Sequence, residues 1–298
     1  MKYYVLLTHL LFFAFGFCQI AHYNQFPSLA SKHLLDDKLT DISFAFSMRI
    51  LESDYNGPLI RLRRNSDNQE QDFFCASNDI VDISAIDAWR GMAQVFVVTW
   101  YDQSGLGRNA VQNTANFQPE FITSNPTRPY FVGDGANDRL DVNTSIQTLT
   151  NAGVNGTVFI AAYATDNNQF TFGTRQPGNN SNRWSIHLNW TNDLVYFDSG
   201  ICCDPVRSVS NTNNEWQQFS FVRASVVQSI RKNGTVLVSG NYTNGRCTAT
   251  NNFGILYSNG NNANFADNRI TELIMYRMEV TGNQLTDTEN NQITFWNI

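Results

Sequence analysis

The feature that most restricts this chain is a long succession of short apolar, β-branched or aromatic runs, each closed by Asn, Gly, Asp or Ser. Leu59–Leu62, Val95–Trp100, Thr157–Tyr163, Trp184–Leu188, Leu194–Phe197, Trp216–Ala224, Val226–Arg231, Thr235–Ser239 and Arg269–Met278 all read as strands. Between two of them, Lys232-Asn233-Gly234 is a hairpin signal, because Asn-Gly suits positive φ at both central positions. Alternate strand residues face opposite ways, so Ile60 and Leu62 are expected inward, with Arg61 and Arg63 on a solvated face. Helical pattern is confined to Ser84–Arg90 and the last turns. There, Thr286-Asp287-Thr288-Glu289 has capping-box spacing and would start a helix placing Ile293 and Trp296 against the sheet. No long repeat or Pro-rich linker divides the chain. The expectation is a single all-β domain of the sandwich or barrel class.

At the N-terminus one lysine precedes an apolar run, Val5 to Phe17, followed by Cys18. This is the layout of a secretory signal peptide cleaved before Gln19, with residues 19–298 as the mature domain. Roughly 13 apolar residues are too few to span a bilayer. The reading is therefore an exported protein with no membrane span. A formal charge of −6, with no basic cluster beyond Arg61-Leu62-Arg63-Arg64, argues against a nucleic-acid surface. Asparagine makes up about one residue in eight, as suits a turn-rich chain. It also creates sequons at Asn143, Asn155, Asn179, Asn189, Asn233 and Asn241, which become glycan acceptors in a eukaryotic secretory pathway.

Four cysteines lie beyond Cys18: Cys75, Cys202, Cys203 and Cys247. An even number in an exported chain suggests disulfides, with three pairings available. Adjacent Cys202 and Cys203 either close on each other, leaving Cys75 to Cys247, or each send a bridge to a distant partner. Zinc ligation is disfavoured, since no His or second Cys pair stands at zinc spacing.

Several blocks carry a family resemblance. They run Phe44-Ala45-Phe46-Ser47-Met48-Arg49, Tyr55-Asn56-Gly57-Pro58-Leu59-Ile60-Arg61-Leu62-Arg63-Arg64 and Ser66-Asp67-Asn68-Gln69-Glu70-Gln71-Asp72, then Thr99-Trp100-Tyr101-Asp102-Gln103-Ser104-Gly105 and Gly133-Asp134-Gly135-Ala136-Asn137-Asp138-Arg139-Leu140. In this order they resemble the catalytic domain of α-L-arabinofuranosidase B, glycoside hydrolase family 54 (GH54). The second half resembles laminin-G-like sandwiches, through Arg183-Trp184-Ser185-Ile186-His187-Leu188-Asn189-Trp190, Val195-Tyr196-Phe197-Asp198 and Ile270-Thr271-Glu272-Leu273-Ile274-Met275-Tyr276. Both resemblances imply a concanavalin-A-like jelly roll. The first also implies a Cys202–Cys203 disulfide lining a sugar pocket, set against two structural bridges. Residues Trp100 to Ser104 read as architecture: a buried aromatic pair, with Asp102 and Ser104 satisfying turn amides.

The catalytic half of that resemblance is incomplete. A retaining glycosidase needs two carboxyl groups about 5 Å apart. The family's nucleophilic Glu follows a Trp, but Trp190-Thr191-Asn192-Asp193-Leu194 has no Glu. The family's acid/base Asp has its counterpart in the run Gly254-Ile255-Leu256-Tyr257-Ser258-Asn259-Gly260, which has no carboxylate. Asp193, Asp198 and Asp267 are the residues that would have to substitute, and Glu272 reads as structural. Sugar contact is easier to support. Trp184 and Trp190 are candidates to stack on sugar C–H faces, Asn192, Asn259 and Asn261 to supply paired donors and acceptors, and Cys202 and Cys203 to line the pocket. No cofactor is expected beyond a calcium ion that Asp134 and Asp138 could help hold; His187 reads as a hydrogen-bonded core residue. Three readings follow: a glycan-binding or cell-surface module, an active α-L-arabinofuranosidase, and a structural matrix protein.

Overall fold

The strand Gly156–Tyr163 is buried along almost its whole length, so both of its faces must be apolar and both of its edges paired. In the computed structural model, which describes residues 33–165, 169–190, 193–204 and 206–298, it lies between Trp216–Arg223 and Arg269–Tyr276, antiparallel to both. Ile42–Ser47 extends this layer beyond Arg269–Tyr276. Val227–Lys232 and Thr235–Asn241 extend it beyond Trp216–Arg223. Asn233 and Gly234 both have positive φ (47° and 78°), as the hairpin signal requires.

The second layer runs Glu70–Phe73, Ile60–Arg64, Val95–Trp100, Ala110–Val111, Leu140–Ser145, Asn252–Ile255, Phe172–Gln176, Asn179–His187, Leu194–Ile201 and Ser208–Ser210, all neighbours antiparallel. Two short strands, Glu120–Ile122 and Tyr130–Val132, carry the ladder from one layer to the other. Aromatic rings fill the space between: Phe46 stacks on Trp100 at 5.2 Å, and Phe221 meets Phe172 at 6.3 Å and Phe197 at 5.5 Å. The fold is the expected all-β jelly-roll sandwich. Among the described residues no helix is long and apolar enough to cross a membrane.

Two hydrogen-bond centres pin the layers. Asp102 accepts the amides of Ala45, Ser104 and Arg108 and the Ser104 hydroxyl. Gln103 beside it accepts the Leu51 amide and donates to the Arg49 carbonyl, each at 2.8 Å. The architectural reading of that run therefore holds, although Tyr101 is only half-buried and donates its hydroxyl to Asp72. The second centre is Glu272, fully buried, which accepts from Ser47, from Arg49 Nε and Nη2 at 2.7 and 3.0 Å, and from Gln292 and Trp296.

Two local expectations fail for stated reasons. Arg63 is not solvated. It is buried, with Nε donating to Gln118 at 2.6 Å and its guanidinium over Phe96, because the segment around Ala115–Phe117 covers that face. The C-terminal helix spans Gly282–Trp296 and starts before the supposed capping box. Thr288 lies inside it, donating to the Gln284 carbonyl, and Glu289 pairs with Arg231 at 2.6 Å instead of reaching back to a cap. The helix still buries Trp296 and half-buries Ile293.

Removing one partner of a buried pair strands the other charge in a low dielectric, at a cost of about 3–5 kcal/mol. Arg49→Met should therefore lower stability by about that much in urea titrations. Arg61→Met, at the half-exposed pair with Asp72, should cost no more than about 1 kcal/mol. Equal costs for the two would contradict this assignment.

Candidate functional site

Strand alternation builds the site. On Asn179–His187, Trp184 and Ile186 point to the core, which turns Arg183, Ser185 and His187 to the other face. On Leu194–Ile201, Val195 and Phe197 go inward, leaving Tyr196 and Asp198 opposite. The register sets His187 against Tyr196 and Ser185 against Asp198. Arg207 arrives just before Ser208–Ser210, the next strand in the layer. With Phe170 and Trp190 they enclose a cavity of about 180 Å³, lined by Phe170, Arg183, His187, Trp190, Tyr196 and Arg207.

Under this cavity lies Asp198, fully buried and doubly paired. Arg207 grips it with Nε at 2.6 Å and Nη2 at 2.7 Å, while Arg183 brings Nε to 2.8 Å and Nη2 to 2.7 Å. Burial alone would raise this carboxyl, but the Arg207 hydrogen bonds and the two guanidinium charges outweigh it and hold it below the usual Asp value. The Arg207 guanidinium also lies over the Tyr196 ring at 4.6 Å.

His187 is caged by Phe170 at 4.2 Å, Trp190 at 4.8 Å and Tyr196 at 5.9 Å between ring centroids. Its Nδ1 is 3.1 Å from the Gln169 carbonyl, so the network assigns the proton to Nδ1. That leaves Nε2 an acceptor, buried and without a hydrogen-bond partner among the described residues, 3.9 Å from Asp198 Oδ2. Burial drives its pKa down to about 3, against the pull of the Asp198 charge, and the ring stays neutral.

Of the sugar-contact candidates among the described residues, only Trp190 lines this cavity. Trp184 is fully buried, its ring against Phe197 at 5.0 Å, and cannot stack on a ligand. Asn259 donates to Asp141, and Asn261 donates to the Ala263 carbonyl within its own turn. Asn192 falls outside the described residues. Cys202 and Cys203 do form a vicinal disulfide, across a cis peptide bond. It sits past the end of Leu194–Ile201, four residues and so about 13 Å along the strand from Asp198, and does not line the cavity. Cys75 and Cys247 are free thiols, against the expectation that they bridge: Cys75 pairs its backbone with Val81, whereas Cys247 is buried against Gly153.

The other candidate carboxylates each have hydrogen-bond partners of their own. Asp193 is exposed in the turn after Trp190 and accepts from Asn213. Asp267 accepts from Thr165 and gives its amide to Gln169. No carboxyl group lines the cavity among the described residues. A broader depression of about 480 Å³ does contain Glu120, Asp134 and Asp138, and burial with the Asp134 charge pushes Asp138 up to about 7. Two of its acids serve the turn, however: Asp134 Oδ1 accepts the amides of Ala136, Asn137 and Asp138, and Asp138 accepts that of Asp134, while Glu120 accepts from Gln94 at 3.0 Å. Among the described residues no group of three or more His, Cys, Asp or Glu is placed to hold a metal.

Sequons Asn143, Asn179, Asn233 and Asn241 are exposed and Asn155 is half-buried. Asn189 is fully buried, and its Nδ2, the atom a glycan would occupy, donates to the Thr165 carbonyl at 3.0 Å. It is not a glycan acceptor in the folded chain.

No protein-family model and no curated protein matches the sequence. Solved structures do match. An arabinofuranosidase complexed with arabinofuranosyl-α-1,2-xylobiose superposes with a TM-score of 0.68 at 15% identity, over 85% of this chain and 62% of that one. A GH54 α-L-arabinofuranosidase soaked with a cyclic sulfate inhibitor gives 0.67 at 16% identity, over 85% and 63%. The fold is that of the GH54 arabinofuranosidases. This chain spans about three-fifths of the length of those GH54 chains, and at such identity the likeness extends to the fold alone.

The neutral His187 has a consequence for stability. Unfolded, it protonates below about pH 6.5; folded, only near pH 3, so stability should fall as pH drops through that window. The Asp198 contribution is lost lower still, as pH falls through its depressed value. Thermal melts from pH 7 to 4 should show a declining midpoint, with a shallower decline in His187→Gln; identical slopes would rule out His187 as the source.

Proposed function

We propose that this protein binds glycans without cleaving them, through the cavity between Phe170, Trp190 and Tyr196. The observation that carries this is the state of Asp198: among the described residues, the carboxylate beneath the cavity is fully buried and closed by two arginines. A retaining mechanism needs one carboxyl as nucleophile and a second that exchanges a proton, about 5 Å apart. Asp198 is held too acidic to supply that proton, and no second carboxyl lines the cavity among the described residues. What remains is a half-buried Trp, a Tyr and a Phe around guanidinium and imidazole groups, a set that stacks on a sugar face and bonds its hydroxyls.

The second reading is an active α-L-arabinofuranosidase, favoured by the fold, since a GH54 enzyme of this architecture has been soaked with 4-nitrophenyl α-L-arabinofuranoside. Export to the extracellular space, where a glycan or glycosylated surface would be met, belongs to the same proposal and rests on the apolar run from Val5 to Phe17.

A glycan array followed by calorimetry should find specific retention. Trp190→Ala should weaken it about tenfold or more, the loss of roughly 1.4 kcal/mol or more of stacking. The purified chain should release no 4-nitrophenol from 4-nitrophenyl α-L-arabinofuranoside. Release above the uncatalysed rate, abolished in Asp198→Asn, would install the hydrolase reading instead.

A further inference from the structure

The broader depression of about 480 Å³ shares no lining residue with the cavity around Trp190, and strand register builds its floor. Arg63 pairs with Phe96, Phe96 with Glu120 and Glu120 with Val132, so four neighbouring strands each present one residue in a row. Three interstrand steps make that row about 14 Å long. The turn that follows Val132 adds Asp134 and Asp138, and the one that follows Arg63 adds Asn68.

Charge is unbalanced across this floor. Arg63 is the one cation among the described lining residues, and it is fully engaged: Nε donates to Gln118, Nη1 to Asn68 and Nη2 to the Ala115 carbonyl, with Cζ 5.1 Å from the centre of the Phe96 ring. Arg139 turns elsewhere, over Phe117 at 3.9 Å with Nη1 on the Asn137 carbonyl. At the far end of the row stand three carboxyl groups, Glu120, Asp134 and Asp138. Asp138 is only 8% exposed; its Oδ2 accepts the Asp134 amide, and among the described residues no donor meets its Oδ1. It is thus more than nine-tenths buried and keeps an oxygen for the depression that it lines. Asp134 engages Oδ1 alone, and Glu120 accepts from Gln94 through Oε1. Lost hydration and the Asp134 charge both work against the ionised form of Asp138 and push it up to about 7. A cation seated among these oxygens relieves the repulsion.

We propose that this depression binds the protonated amino group of an amino sugar, with the ammonium among the free oxygens of Glu120, Asp134 and Asp138 and the sugar ring over the floor at Phe96. Three features select that class. An ammonium brings three N–H donors to a group of acceptors. A metal ion is not matched, since among the described residues no group of three or more His, Cys, Asp or Glu is placed to hold one. A lysine side chain calls for a narrow channel, whereas a volume of about 480 Å³ with an aromatic floor and the side-chain amides of Asn68 and Asn116 suits a ring and its hydroxyls. The site is separate from the glycan-binding cavity and does not rest on it.

The test titrates the full chain by calorimetry at pH 7 with methyl β-D-glucosaminide, its N-acetyl derivative, methyl β-D-glucoside, Nα-acetyl-lysine methylamide and calcium chloride. The glucosaminide should bind at least about tenfold tighter than the other two sugars, which lack the cation. Its binding should shift the backbone amide resonances of Ala136, Asn137 and Asp138, the three that donate to Asp134. Asp138→Asn and Glu120→Gln each remove a charge and keep an acceptor for the present hydrogen bond, so either should weaken the glucosaminide about tenfold or more without lowering the melting temperature. Equal affinity for the three glycosides, silent amides at Ala136 to Asp138, tighter binding of the lysine amide, or displacement of the sugar by calcium would each overturn the inference. A melting temperature that falls while binding persists would assign the carboxyl groups to the turn alone. The titrations on the unmodified chain decide the matter even if a variant does not fold, and their failure leaves glycan binding at the Trp190 cavity untouched.

Discussion

A carboxylate with no access to water holds this sandwich in register. Glu272 sits inside the strand Arg269–Tyr276, which is paired on one side with Ile42–Ser47 and on the other with Gly156–Tyr163. A charge in that position costs several kcal/mol in lost hydration unless each oxygen is met by donors. Ser47 and Arg49 supply them from the chain's first described strand and the residues just past it, Gln292 and Trp296 from its last helix. The first strand, the late strand and the C-terminal helix are therefore correct together or not at all. The layer carrying the cavity is packed on this frame through Phe172 and Phe197 against Phe221.

The same solution recurs at Asp102 and Asp198. Each is a buried acid saturated by amides or guanidinium groups, and each ties segments distant in sequence or on neighbouring strands. Glu272 and Asp198 are both driven below their ordinary pKa by their partners, against the opposing effect of burial. A glycosidase acid needs the reverse, an environment that keeps a proton near neutral pH. In this chain the buried acids of the sheet are spent on architecture.

Much of this was legible from local chemistry. Apolar runs bounded by Asn and Gly found the strands, and Asn233-Gly234 found its hairpin, because those signals depend on a few adjacent residues. The site was harder. Trp184 and Trp190 look equivalent in the sequence and share the same strand parity, yet the strand ends at His187, so the first is buried with Phe197 and the second lies past the strand at the rim. Strand alternation carries the signal for the residues not singled out in the sequence, Arg183 and Tyr196: Arg183 shares one face with Ser185 and His187, and Tyr196 shares the facing one with Asp198. Arg207 could not be found this way, since its place depends on how a third strand returns. Arg63 and the start of the last helix depart from local pattern for a similar reason, because tertiary cover and the pairing of Glu289 with Arg231 override it.

The hairpin from Asn179–His187 to Leu194–Ile201 serves core and cavity with alternate residues of the same two strands. A shift of either strand by one residue would send Trp184 or Phe197 outward and bring Arg183 or Asp198 into the core. Insertions and deletions within these strands are thus survivable only in pairs, whereas the turn between them is free of that parity. Evolution can resize the rim around Trp190 one residue at a time, but it can alter the floor only by substitution.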